Sequence, residues 1–433
     1  MATQTHTEAE HELIEAAKRV LPAASFGNMA GDVVIREGRG GRVWEESGNE
    51  YVDFLLGSGP MLVGHANPEV TAAVQEQVVH GTTFFANNRQ GIALAEAIVD
   101  AVPCAEKVRF VSSGSEADAY AMRLARAFRK RDKILKFEGG YHGMSDYSLM
   151  SLAPKRPGNF PRALPDSAGI PQSVRDEMLI APFNDVETVA SVIREHKNEL
   201  AGVIVEPFQR IIPPAPGFLQ ALRKLTAEHG IPLIFDEVVT GFRLAYGGAQ
   251  EYYGVTPDIC TLGKVIGGGF PLAAIAGRDD IMSHFDRAVV GDEGFLVQIG
   301  TLSGNPVASA AGLASMAILK RPGAYERIFA TGRELMGTLS ELLKRAGIPA
   351  VVTGEPPLFD VVFASGDMRN YRDVLRGDAE MMRQLNRLLR ERGILKGESK
   401  YYISLAHDAA DIRHARDAWE SAIKELVKRR KAA

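Results

Sequence analysis

Three short stretches of this 433-residue sequence carry residue types that could do chemistry together. In Thr261-Leu262-Gly263-Lys264-Val265-Ile266-Gly267-Gly268-Gly269 a lysine follows an apolar run and precedes three glycines. Small groups on both sides let a bulky ligand approach the backbone. A dry setting favours the neutral amine, the form that attacks a carbonyl to make a Schiff base. A solvated surface lysine is the other reading of Lys264, and its flanks argue against it. The pair is not a phosphate-binding P-loop. Asp258 stands where that motif needs glycine, and Val265 where it needs Ser or Thr.

The second stretch, Leu233-Ile234-Phe235-Asp236-Glu237-Val238, ends an apolar strand in two carboxylates. Successive strand side chains point to opposite faces, so at most one of the two can share a pocket with the inner face. Asp236 could meet a metal, a ribose hydroxyl or a protonated ring nitrogen, or it could cap the next helix. No second carboxylate or histidine stands nearby at ligand spacing, which argues against a metal. The third stretch, Val111-Ser112-Ser113-Gly114-Ser115-Glu116-Ala117, runs from a strand through a hydroxyl-rich turn into a helix. Ser113 and Glu116 have capping-box spacing. The same helix N-terminus could seat a phosphate on its unpaired N–H groups.

The elements that must position these residues follow from the apolar pattern. Between about residues 65 and 310, short branched runs predict strands at Val108–Val111, Ile134–Phe137, Val203–Val205, Leu233–Phe235, Cys260–Leu262 and Leu272–Ile275. Helical patterns at Glu116–Arg129, Val186–His196 and Phe218–His229 lie between several of them. This alternation predicts an α/β fold with a mainly parallel sheet covered on both faces, and ligands in such sheets collect beyond the carboxyl ends of the strands. Five prolines between Leu152 and Asp176 exclude regular structure there and suggest a lid or a disordered excursion.

Outside that region, a frayed start precedes a helix through Leu13–Val20 that Pro22 ends, and strands are expected near Val33–Ile35 and Tyr51–Phe54. Beyond residue 310 come helices at Ala311–Leu319 and Tyr325–Ala346, and strands at Phe359–Phe363 and Tyr402–Leu405. An amphipathic helix, Asp411–Lys428, ends in a solvated basic terminus, Lys428–Lys431. The expected domains are therefore 1–60 as part of a small domain, 61–310 as a large one, and 311–433 completing the small α/β domain.

Composition narrows the function classes. A net charge of −4 offers no basic face for nucleic acid. Two cysteines, Cys104 and Cys260, are too few for a disulfide framework and fit a reducing compartment. No apolar stretch approaches the roughly 18 residues of a spanning helix, and the polar, acidic start lacks the order of a signal peptide. The expectation is a cytoplasmic protein. A dehydrogenase would need G-x-G-x-x-G after an early strand, and no such placement occurs.

Taken together, the three stretches resemble the class-III, fold-type-I pyridoxal 5′-phosphate (PLP) aminotransferases. The resemblance is greatest to the group that contains glutamate-1-semialdehyde aminomutase and its aminotransferase relatives. It runs from about Asp32 to the C-terminus and includes Gly64-His65, Phe137-Glu138-Gly139-Gly140-Tyr141-His142-Gly143, Val205-Glu206-Pro207 and Gly300-Thr301-Leu302-Ser303-Gly304-Asn305-Pro306. It implies the PLP-dependent transferase fold, with Lys264 as Schiff-base lysine and proton shuttle and Asp236 paired with the pyridinium nitrogen. Ser113, Gly114 and Ser115 would lie around the phosphate, Tyr141 and Val238 on the two faces of the ring, and His142 and Glu206 close by. Thr301 would reach the phosphate of the neighbouring subunit, which implies a homodimer. Lys264, Asp236 and Tyr141 are the expected catalytic residues, and no metal is expected.

The implied activity is transamination between an amino acid or amine and a 2-oxo acid. The mutase reaction and other PLP chemistries, decarboxylation or racemisation, stay open on the same fold. Leu152–Asp176 matches a mobile gate in the mutase. However, the mutase carries an arginine in the segment matching Leu21–Ala30 and an aromatic near Ser58, and this chain has neither. Around the expected pocket it offers Ser58, Met61, Phe84, Phe85, Phe208 and Arg210. This set suits an aryl or β-amino substrate whose carboxylate could meet Arg210, though core packing would equally explain the aromatics.

Overall fold

The computed structural model describes residues 6–29 and 31–432, with side chains as far as Arg430. Residues 1–5 of the expected frayed start, Ala30 and the side chain of Lys431 lie outside the described residues. The chain divides into two compact units. One is Glu69–Pro322 with Asp367–Arg376, and the other is Met1–Pro68 with Gly323–Gly366 and Gly377–Ala433.

These divisions differ from the expected ones at 60/61 and 310/311. Helix Pro306–Leu319 packs on helix Arg89–Ala101 and on the Lys264–Gly267 turn, which keeps it in the larger unit. Leu62 accepts hydrogen bonds through its carbonyl from the Leu405 amide and the Ser404 hydroxyl, which ties it to the smaller one.

The larger unit is built on seven strands: β1 (Lys107–Val111), β2 (Lys133–Phe137), β3 (Met178–Ala181), β4 (Leu200–Val205), β5 (Leu233–Glu237), β6 (Ile259–Leu262) and β7 (Ala273–Gly277). They lie in the order β1-β7-β6-β5-β4-β2-β3. From β6 to β3 every pairing is parallel, and only β7, between β1 and β6, runs antiparallel. The unit thus has the α/β fold with a mainly parallel central sheet. Strands β3 to β7 are buried along their whole length, as sheets covered on both faces must be.

The helix Gly114–Arg129 shows how one element is fixed in place. Ala117, Ala121, Leu124 and Ala125 recur at helical spacing and are fully buried. Arg126 and Arg129 fall in its last turn, where cations complement the dipole.

The stretch Leu152–Asp176 is more ordered than five prolines suggested. Its last residues, Gln172–Asp176, form a short helix. Asp166 accepts hydrogen bonds from the amides of Leu152 and Ala153, at 2.6 and 3.2 Å. The Arg372 guanidinium bonds Glu138 and the Gly158 carbonyl, each at 2.7 Å, and lies over the Phe160 ring.

In the smaller unit, Ile35–Arg39, Arg42–Glu45, Glu50–Asp53 and Ile394–Leu395 form one sheet, and Val351–Glu355, Leu358–Val362 and Tyr401–Tyr402 another. The strand expected at Val33–Ile35 therefore lies further on. The first helix begins earlier than expected, at Glu8, because the Thr7 hydroxyl caps it. The C-terminal helix spans Ala409–Ala432, and its Lys428, Arg429 and Arg430 are exposed. Among the described residues, no helix is long and apolar enough to cross a membrane.

Candidate active site

Five parallel strands of the larger unit deliver the chemistry-bearing residues at or just past their carboxyl ends. Strand β1 leads to Ser113–Ser115, β2 to Tyr141 and His142, and β4 to Glu206. Strand β5 carries Asp236, and β6 leads to Lys264. Strands β5 and β6 are neighbours, with Asp236 opposite Thr261. Lys264 opens the short turn Lys264–Gly267 with φ of +49°, a left-handed value that costs an L-residue free energy and recurs at functional sites.

Asp236 and Glu237 diverge, as strand alternation requires. The Glu237 carboxylate is buried, and it accepts from the Thr240 hydroxyl at 2.9 Å and the Ala249 amide at 2.5 Å. Its work is to hold the next turn. Asp236 is also buried, but its partners come from the site: His142 Nδ1 lies 2.8 Å from Oδ2, and the Val238 amide donates to Oδ1 at 3.0 Å. Lys136, a buried lysine, acts electrostatically with Asp236 among the described residues. The Nε2 of His142 is also buried, with no hydrogen-bond partner there.

At the first turn of helix Gly114–Arg129 the capping box is real. The Ser113 hydroxyl accepts from the Glu116 amide at 3.3 Å, and Glu116 accepts from the amides of Ser112 and Ser113. The Gly114 and Ser115 amides have no intrahelical acceptor, so the turn presents donors and a positive dipole end to an anion. Space there is tight. A Cβ at Gly114 would stand 3.0 Å from Val238 Cγ1, and one at Gly263 3.2 Å from the same atom. Val238 thus sits between the phosphate-like turn and the lysine turn.

Tyr141 is half-buried, and its phenol is held above the ordinary value, mainly by burial. Its amide donates to Glu206 Oε2 at 2.9 Å. Arg210, with φ of +61°, lies over the Tyr141 ring at 5.4 Å and forms no ion pair among the described residues. Phe84 and Phe85 are 50% and 70% exposed, so they are not core. Phe208 is buried core. Thr301 is exposed on a loop, and Ser58 is exposed in the smaller unit with φ of +66°.

Two residues of this region were not foreseen. Asp118, on the buried face of helix Gly114–Arg129, accepts from the Thr261 hydroxyl at 2.6 Å. Lys136, inside β2, donates to the Ser148 and Met150 carbonyls at 2.6 and 2.7 Å.

Comparison with known proteins decides the family. The model of the class-III aminotransferases matches residues 24–399. The chain belongs to the class-III aminotransferases. Members of this family are PLP-dependent transaminases. A solved omega-transaminase from Sphaerobacter thermophilus is 35% identical, covers 96% of this chain and 98% of its own, and superposes with a TM-score of 0.92. A beta-phenylalanine aminotransferase from Variovorax paradoxus is 32% identical over 96% and 94%, at 0.85. A glutamate-1-semialdehyde aminomutase from Pseudomonas aeruginosa PAO1 is 24% identical over the same shares, also at 0.85, which carries the fold alone.

The residues of this aminotransferase fit the cofactor. A buried carboxylate, a helix N-terminus whose first amides lack intrahelical acceptors and glycines at the points of closest approach match a protonated ring bearing a phosphate.

Proposed function

We propose that this transaminase exchanges amino groups between an aryl or β-amino substrate and a 2-oxo acid, with Lys264 as its Schiff-base lysine. The observation that carries the site assignment is the pairing of neighbouring strands β5 and β6. It brings a buried carboxylate, Asp236, beside the turn that opens on Lys264 at positive φ. When bound, PLP supplies a sink for the electrons left on the substrate carbon.

The chain's own residues do the rest. Asp236 would hold the ring nitrogen protonated. The Gly114 and Ser115 amides would take the phosphate, with Ser113 capping the same turn. Tyr141 and Val238 would pack against the ring. His142 fixes the Asp236 carboxylate, and Glu206 fixes the Tyr141 backbone. Lys264 would hold the ring until the substrate amine displaces it, and its freed amine would then move the proton at the substrate carbon.

The substrate class rests on Phe84 and Phe85, which are exposed and not spent on core, and on Arg210, a cation with no carboxylate partner among the described residues. The homodimer is supported by the loop around Thr301, where Val297 and Ile299 are 57% and 74% exposed and Leu302 is also bare. Unbridged buried cysteines, Cys104 and Cys260, support a cytoplasmic location.

The test is turnover of β-phenylalanine and of α-amino acids, each with pyruvate or 2-oxoglutarate. Keto product that requires the acceptor, and falls when Arg210 is changed to Ala, supports the reading. Isomerisation of glutamate-1-semialdehyde without any acceptor would replace it with the mutase.

A further inference from the structure

The buried group behind the site is larger than the family assignment needs. Asp118 comes from the helix that opens at Gly114, Asp236 from β5, and His142 from the loop after β2. All three are buried, and one ligand-capable atom of each lies within 4.8 Å of the others. Thr261, opposite Asp236 on β6, bridges the two acids: its hydroxyl stands 2.6 Å from Asp118 Oδ1 and 3.4 Å from Asp236 Oδ1.

Two carboxylates this close, away from water, cannot both stay ionised, so the pair retains a proton. The hydrogen bonds decide which member keeps it. Asp236 accepts from an amide and faces an imidazole nitrogen, while the one Thr261 hydroxyl proton lies nearer Asp118. Asp118 has only Thr261 and the neighbouring acid. Burial first and Asp236 second push its carboxyl well above the usual range. Among the described residues, the titratable groups acting on the pair include Glu206, which works in the same direction on Asp118, and Lys136.

We propose that Asp118 is a positioning residue, a neutral carboxylic acid whose O–H donates to Asp236 and aims that carboxylate at the cofactor's ring nitrogen. The inference rests on the reading of Asp236 as the ring's partner. Asp118 touches no substrate. It acts by fixing one Asp236 oxygen, so the other is held toward the ring.

The test compares the wild type with Asp118→Asn and Asp118→Leu in the full chain, both cofactor-loaded and cofactor-stripped. Infrared spectra of protein labelled with carbon-13 at the aspartate carboxyls should contain a protonated-carboxyl band at neutral pH. Asp118→Asn should abolish it, in the stripped protein as well as the loaded one. Asparagine keeps a donor and adds no charge. The pH midpoint of the bound cofactor's visible absorbance should therefore stay at the wild-type value in Asp118→Asn. Cofactor retention should be about tenfold weaker in Asp118→Leu than in Asp118→Asn, the worth of one buried hydrogen bond.

Absence of the carboxyl band in the wild type would overturn the proposal. So would a midpoint displaced in Asp118→Asn, because that means a charge was removed. If Asp118→Leu does not fold, the band and the Asp118→Asn midpoint still decide. Asp236→Asn separates the two readings. Unchanged cofactor retention and absorbance in that variant would refute Asp236 as the ring's partner, while the band in the stripped protein would still report on Asp118.

Discussion

The carboxylate of Glu206 accepts a hydrogen bond from the backbone amide of Tyr141 at 2.9 Å, across 65 residues of sequence. The contact joins the end of β4 to the loop after β2. It fixes the height at which the Tyr141 ring stands, whatever the tyrosine side chain itself does. Glu206→Ala should therefore lower kcat/KM by about 10- to 100-fold, the range for a lost hydrogen bond to a charged group. Glu206→Gln, which keeps an acceptor, should lose less. Steady-state kinetics of the two variants side by side check this. Equal losses would mean that the charge of Glu206 matters and the bond to Tyr141 does not.

Gly143 is held at φ of +81°, and a Cβ there would come within 2.5 Å of Ser115. Gly143→Ala combines a left-handed alanine with pressure on the phosphate turn. It should cost about 1–3 kcal/mol of stability and weaken PLP retention. Thermal unfolding with and without added PLP measures both effects, and a variant matching the wild type in both would contradict this placement of Ser115.

Much of this was legible in the sequence because the parallel strands are buried on both faces, so their branched runs stand out. Strand β3, Met178–Ala181, was hidden behind the prolines that precede it. The strand Arg42–Glu45 was hidden by its charged ends. The antiparallel direction of β7 has no local signature, since it depends on which edge of β1 is free. Lys264 and Asp236 could be picked out because each ends an apolar run.

Asp118 could have been found by the same logic. It falls on the helical stripe of Ala117, Ala121 and Ala125, where a carboxylate is out of place. Lys136 likewise interrupts the apolar run Ile134–Phe137. Buried polar residues inside an apolar pattern were the unused signal. Phe84, Phe85 and Thr301 are different, because exposure cannot be read from residue type.

Lys136 makes stability depend on pH in a defined direction. Burial brings its pKa from the ordinary 10.5 down to about 7. Between these values the unfolded chain binds a proton that the folded chain does not. The contribution is thus complete above pH 10.5 and is lost as pH falls toward 7. The slope is about 1.4 kcal/mol per pH unit inside that window. Lys136→Met removes this dependence. Denaturant unfolding at several pH values should give a wild-type-minus-variant difference that grows from pH 7 to pH 10. A difference that is flat or falls with pH would contradict the buried, neutral lysine.

The central claim is that Lys264 carries the cofactor. Reduction of the PLP-loaded protein with borohydride, followed by proteolysis and mass mapping, reads it directly. A pyridoxyl adduct on the peptide containing Lys264, absent from Lys264→Ala, is the predicted result. An adduct on another lysine, or a Lys264→Ala protein with the wild-type visible spectrum and turnover, would contradict it.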